Sequence, residues 1–210
     1  MKRIDKEERI NKWEERSRAR LMNCLSGIKN ATLIGSISED GQSNLAVFSS
    51  LFHLGANPAL MGIVFRPVEG DTLRNIKHTK AFTLNHLRAE FSQKIHHTSA
   101  RFNSSEFNDC KLDEEFLDGF SAPFVKQANI KWSMILKRII DVPENGTHIA
   151  IAEVEDIYLA DKSMVREDGS LDITDELCGV VGLDSYHSIE NGVRYTYAKP
   201  DLVPQLIPES

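Results

Sequence analysis

Between Asn44 and Leu87 the chain reads NLAVFSSLFHLGANPALMGIVFRPVEGDTLRNIKHTKAFTLNHL, three apolar runs of strand length in close succession. Their interiors are Val-, Leu-, Ile- and Phe-rich, and a short helical turn opening with Asp71 and Thr72 interrupts them. Such runs must pair with one another and bury their faces, so the stretch dictates a β-rich domain. Hydroxyls, amides and one arginine, Arg66, sit at or near the ends of the runs. That mixture suits a ligand with an anionic headgroup, a polyol and a flat aromatic body.

The remaining elements follow from pattern. Residues 5 to 29 place Ile10, Trp13, Ser17, Leu21, Cys24, Leu25 and Ile28 at spacings of three and four, which predicts one amphipathic helix packed on the rest of the domain or on a partner subunit. A calmodulin-like or membrane-surface role is the alternative, weakened by Glu7, Glu8, Glu14 and Glu15. Strands are predicted over 32–38 and 43–53, joined by a hairpin at Glu39-Asp40-Gly41. Others are predicted over 60–65, 81–87, 130–140 and 147–159, with Pro143-Glu144-Asn145-Gly146 turning the last pair. Short helices are expected at 72–78, 89–96 and 113–119. From Ala160 the chain is polar and turn-rich, with EDG and ENG turns, a last strand over 193–198 and a tail punctuated by Pro200, Pro204 and Pro208. No repeat or low-complexity linker divides the 210 residues, so one domain is expected, with a helical extension at 1–29 and a C-terminal extension at 160–210.

Composition narrows the function classes. A formal net charge of −6 argues against nucleic acid as main partner. No apolar run is long enough to cross a bilayer, and the N-terminus lacks an apolar signal centre, so no membrane association and a cytoplasmic location are expected. Cys24, Cys110 and Cys178 show no metal-ligand spacing and read as reduced thiols; the N-x-[ST] triplets at Asn30, Asn103 and Asn145 read as coincidence. His96 and His97, adjacent on a helix, point about 100° apart, which disfavours a shared metal. There is no G-x-S-x-G elbow and no G-x-G-x-x-G opening a βαβ unit.

Arg66 ends an apolar strand and can grip phosphate oxygens with its fork, while the turn at Asp71-Thr72 offers free N–H groups and a hydroxyl. Asp71 is expected to cap that helix and pair with Arg74. In a straight strand Asn44, Ala46, Phe48, Ser50 and Phe52 share one face, so Ser49 and Ser50 can both meet one ligand only across a bulge. Asn85 can donate and accept at once; His86 lies on an apolar face, where a histidine is more often a core residue with one satisfied nitrogen.

Taken together, NLAVFSS, NPALMG…FRP, DTLRNI, FTLNH and HTSA, in this order and spacing, resemble the flavin reductase-like family, with similarity extending through SEFND, SAPFV and GLDSY. The resemblance implies a mainly β fold, the FMN-binding split β-barrel with peripheral helices. It implies FMN as cofactor, held by Asn44, Leu45, Ala46, Ser49, Ser50, Arg66, Thr72, Asn85, His86, His97 and Ser99. Of these, His97 or Ser99 would reach across a homodimer interface. The expected activity is an NAD(P)H:flavin reductase, with a transiently docked nicotinamide and no catalytic side chain. The alternatives are a non-catalytic FMN-binding or electron-carrier protein, and a small β-barrel interaction module without its ligand.

Overall fold

The computed structural model describes residues 3–182, 184–190 and 192–207. Leu183 in GLDSY, Asn191 in the ENG turn and Pro208 in the tail lie outside the described residues. Helices α1 (Lys6–Lys12) and α2 (Glu15–Leu25) precede strands β1 (Lys29–Asn30), β2 (Thr32–Ile37), β3 (Ser43–Phe48), β4 (Leu51–Ala56) and β5 (Ala59–Phe65). Then come α3 (Asp71–Thr79), β6 (Ala81–His86), α4 (Ser92–His97), α5 (Glu106–Asp109), β7 (Glu114–Glu115) and β8 (Phe124–Val125). Long strands β9 (Ile130–Val142) and β10 (Thr147–Leu159) follow, then β11 (Cys178–Val181), β12 (Ser185–Ser188), β13 (Arg194–Tyr195) and β14 (Leu206–Ile207).

Seven strands form one antiparallel sheet in the order β3-β2-β6-β9-β10-β5-β4. Its edges, β3 and β4, are joined by only Ser49 and Ser50. Laid flat, six strand spacings would separate them by about 29 Å, whereas the three peptide steps of that link span at most about 11 Å. The sheet therefore coils until its edges meet, which is a split barrel. Phe48 of β3 and Phe65 of β5 meet across the seam, ring centroids 5.0 Å apart, and Ser50 Oγ donates to the Val64 carbonyl at 2.8 Å. Register shifts in the β9–β10 ladder near Ile151 and Val154 add bends that help the curl.

Alternation divides the core in two. Ile34, Leu84, Trp132 and Met134 fill the barrel with Ile63, Phe65 and Phe82, and the neighbouring residues Leu33 and Leu45 pack outward with Ile95, Phe107, Leu112 and Val125. Covered on both sides, all six residues of β6 are buried. The outer cover lies very close. A Cβ on Gly35 would come within 2.0 Å of the Pro123 carbonyl oxygen, so only glycine lets the SAPFV segment cross β2 at this height.

Four expectations change. The predicted 5–29 helix is broken at Trp13 and Glu14, whose backbones are extended; Arg18 holds the break by donating to the Ile10 and Trp13 carbonyls. No residue of α1 or α2 is buried; Arg20 pairs with Asp184 at 3.0 Å, and Cys24 and Ile28 approach Gly182 and Gly179. The 43–53 strand is two strands, because the chain must pass there from one sheet edge to the other. The helix expected at 113–119 is β7 and a turn with Asp118 and Gly119 at positive φ, and the helical turn lies earlier, at Glu106–Asp109. The last strand narrows from 193–198 to Arg194–Tyr195, paired with β14.

Gly35→Ala should lower stability by about 1–3 kcal/mol, the range for overpacking, in denaturant unfolding. A neutral result would mean that the Pro123 segment is not seated on β2.

Candidate functional site

Where β5 ends, the chain turns into α3 with its first turn open. Gly70 occupies the N-cap position and has no side chain to accept from the helix, so N–H groups of the first turn stay available to an anion. Arg66, just past β5, is exposed, and its side chain makes no hydrogen bond or ion pair with a described residue. Asp71 pairs with Arg74 at 2.7 Å as expected but does not cap the helix. Thr72 is buried and accepts from Asn44 Nδ2 at 3.1 Å, so its own hydroxyl hydrogen remains free to donate. Asn44 Nδ2 also reaches Ser36 Oγ at 3.1 Å, which accepts from Asn75 Nδ2 at 3.2 Å. This network pins the start of α3 to β2 and β3. Sequence reasoning missed Ser36 and Asn75. Both were traceable: Ser36 faces Asn44 in the hairpin register, and Asn75 lies one turn beyond Thr72.

Beside this corner runs the free edge of β3. The Leu45 N–H points out of the sheet and donates to Glu106 Oε2 at 3.0 Å. In an antiparallel ladder the outward amides recur every second residue, so the Val47 N–H and C=O also face outward, beyond the reach of that bond. They form a donor–acceptor pair that a flat heterocycle with an amide-like edge can match. The Leu45 side chain is fully buried in the outer core, so Leu45 has only backbone to offer here. Ala46 is half-buried on the opposite face. Burial raises the Glu106 pKa, and the nearby Asp71 and Asp109 add to the shift. Ser105, preceding it, has its hydroxyl buried without a partner. Neither Ser105 nor Glu106 was singled out from sequence.

Residues 28–174 match the family model for the flavin reductase like domain. The chain belongs to that family. A split barrel domain protein from Shewanella frigidimarina NCIMB 400, classed as a flavin reductase, is 39% identical, with 94% of this chain and 100% of that one aligned at a TM-score of 0.89. Nitrilotriacetate monooxygenase component B from Bacillus cereus is 22% identical, covering 91% of this chain and 97% of its own at 0.79. The 2-nitrobenzoate 2-nitroreductase NbaA of Pseudomonas fluorescens is 20% identical, covering 97% and 99% at 0.80; these last two share the fold. Among curated proteins none matches significantly.

Within this flavin reductase-like barrel, the other residues expected at a ligand are placed apart. Asn85 is fully buried on the outer face of β6: its carbonyl accepts from Val125 N at 2.9 Å, and its amide donates to Thr83 Oγ1 and the Leu33 carbonyl. His86 faces the barrel interior, 3.1 Å from Thr32 Oγ1 and edge-on to Trp132. The polar atoms of Asn85 thus bond within the protein, as does one nitrogen of His86. Ser49 and Ser50 occupy the link across the seam, with the Ser50 hydroxyl committed to Val64. His97 and Ser99 are exposed, His97 edge-on to Phe102. The structure therefore gathers Asn44, Leu45 and Thr72 at one corner, and Arg66 lies exposed in the connection between β5 and α3. Among the described residues no group of three or more His, Cys, Asp or Glu side chains could hold a metal.

Burial lowers the His86 pKa from 6.5 to about 4. The unfolded chain thus binds a proton that the folded chain refuses between those values, and stability falls as pH drops through this window. The slope should approach about 1.4 kcal/mol per pH unit, and His86→Leu should flatten it in urea titrations from pH 7 to pH 4. A slope unchanged in the variant would assign the acid sensitivity elsewhere.

Proposed function

We propose that this chain is an FMN-binding oxidoreductase, an NAD(P)H:flavin reductase acting as a cytoplasmic homodimer. One observation carries the reading: the uncapped first turn of α3, with the free Thr72 hydroxyl hydrogen inside it. The exposed Arg66, in the connection leading into that turn, would supply a guanidinium. These donors fit a phosphate, which a helix N-terminus and an arginine fork hold without further help. The open Val47 amide and carbonyl fit the pyrimidine edge of an isoalloxazine lying along β3, and the Ser49-Ser50 link would border the ribityl chain. The flavin, once bound, supplies the capacity to take a hydride from a nicotinamide and pass electrons on. The protein's part is to hold the phosphate, align the ring along the β3 edge and leave the outer ring face open to a transient donor.

A second copy has work to do in this reading. Ile10, Met22, Leu25 and Ile28 on the N-terminal helices and the loop after them are 52%, 41%, 71% and 60% exposed, an apolar surface suited to a partner subunit. His97 and Ser99, exposed on the monomer, are then free to meet the neighbour's flavin. Light scattering should give twice the chain mass; a monomer at micromolar concentration would remove this part of the proposal.

FMN should bind the purified chain and quench in fluorescence titration. Arg66→Ala, on an exposed side chain, should leave the melting temperature unchanged and weaken FMN about tenfold or more, the loss of a charge-assisted phosphate contact. Unchanged affinity would overturn the phosphate assignment. Anaerobic NADH or NADPH should bleach the bound flavin; persistent colour with both would leave binding without reductase activity, as in an electron carrier.

A further inference from the structure

Glu106 is out of place beside an anion site. Its carboxylate is half-buried, accepts the Leu45 N–H at 3.0 Å and forms no ion pair with any described lysine, arginine or histidine. The charged or titratable groups that act on it are Asp109 on its own helix, Asp71 in the first turn of α3, and the buried thiol of Cys110; β3, the strand it packs on, carries none. Asp71 is compensated by Arg74, but Glu106 is not. A neutral glutamine or a serine could take the same Leu45 amide without placing a negative charge near the start of α3. The charge therefore has an effect that the hydrogen bond does not require: it opposes a second anion at that helix terminus.

We propose that Glu106 is the residue that keeps the flavin exchangeable, its carboxylate opposing the ligand phosphate so that FMN is held loosely enough to leave. This rests on the phosphate assignment above and adds what that assignment does not contain, a built-in penalty specific to phosphate-bearing flavins. The chain then handles flavin as a substrate that arrives, is reduced and departs. Riboflavin, which has the same ring and polyol but no phosphate, escapes the penalty.

The test compares FMN and riboflavin on the full-length wild-type chain and on Glu106→Gln, whose amide oxygen still accepts from Leu45. At about pH 8 and low salt, where the carboxylate is ionised, the variant should bind FMN about threefold to tenfold tighter and release it correspondingly more slowly in stopped flow. Its riboflavin affinity should stay within about twofold, and the FMN gap should shrink at about 0.5 M salt as screening shortens the reach of the charge. Glu106→Ala loses the acceptor as well, so absolute affinities can fall, but the FMN-to-riboflavin ratio should still rise. A ratio unchanged in both variants, while the wild type binds FMN, overturns this inference alone. A wild-type chain that binds neither flavin overturns both this inference and the function it rests on.

Discussion

The architecture depends on the length of one connection. Two residues, Ser49 and Ser50, link strands that sit at opposite edges of a seven-stranded sheet, and no flat sheet can satisfy them. Closure in turn creates an enclosed interior for Ile34, Phe82, Trp132 and Met134, and it leaves β3 as an edge without a strand partner on one side. An unpaired edge invites pairing with other chains. Here Glu106 takes the Leu45 rung and α5 packs on β3, so the edge is partly covered while the Val47 rung stays open. The same short link thus produces both the core and the open β3 backbone on which the proposed ligand site rests.

How far this was legible varies with the physics involved. Strands with local hairpins, such as β2–β3 and β9–β10, announce themselves through alternation and turn residues, and their bounds agree with the pattern to within two residues except at Phe48. There the sequence is uninterrupted: NLAVFSSLFHL reads as one strand because the break depends on which sheet edge each half joins, a long-range fact. The Trp13 break was hidden for a similar reason. Helical spacing persists across it, while the backbones of Trp13 and Glu14 are extended and the Arg18 side chain bonds back to two carbonyls.

Of the candidate site, Arg66 and Thr72 could be proposed together because strand end and helix start are adjacent in sequence, whereas Asn44, 28 residues from Thr72, came only with the resemblance. Asn85 and His86 show the limit. A polar residue at a strand end looks the same in sequence whether it faces a ligand or a neighbouring segment. The difference lies in Val125, 40 residues away, whose amide needs an acceptor, and Asn85 is the side chain that supplies it. Asn85 therefore positions the 122–125 segment over Gly35, a structural duty with the chemistry of a binding residue.

Electrostatics at the corner are finely divided. Asp71 and Arg74 cancel on the helix surface, which leaves the Arg66 guanidinium and the partial positive charge of the α3 terminus against the half-buried carboxylate of Glu106 and its neighbour Asp109, which accepts from the Ser104 hydroxyl. A helix terminus carries roughly half an elementary charge, so the positive sources and the nearby carboxylates are of the same order. Burial strengthens the contribution of Glu106 relative to the exposed Arg66, because screening by solvent acts mainly on the latter. On the proposed reading this balance holds a dianion loosely, and a shift in any one of these groups would move the chain along the line between a carrier that keeps its flavin and an enzyme that lets it go.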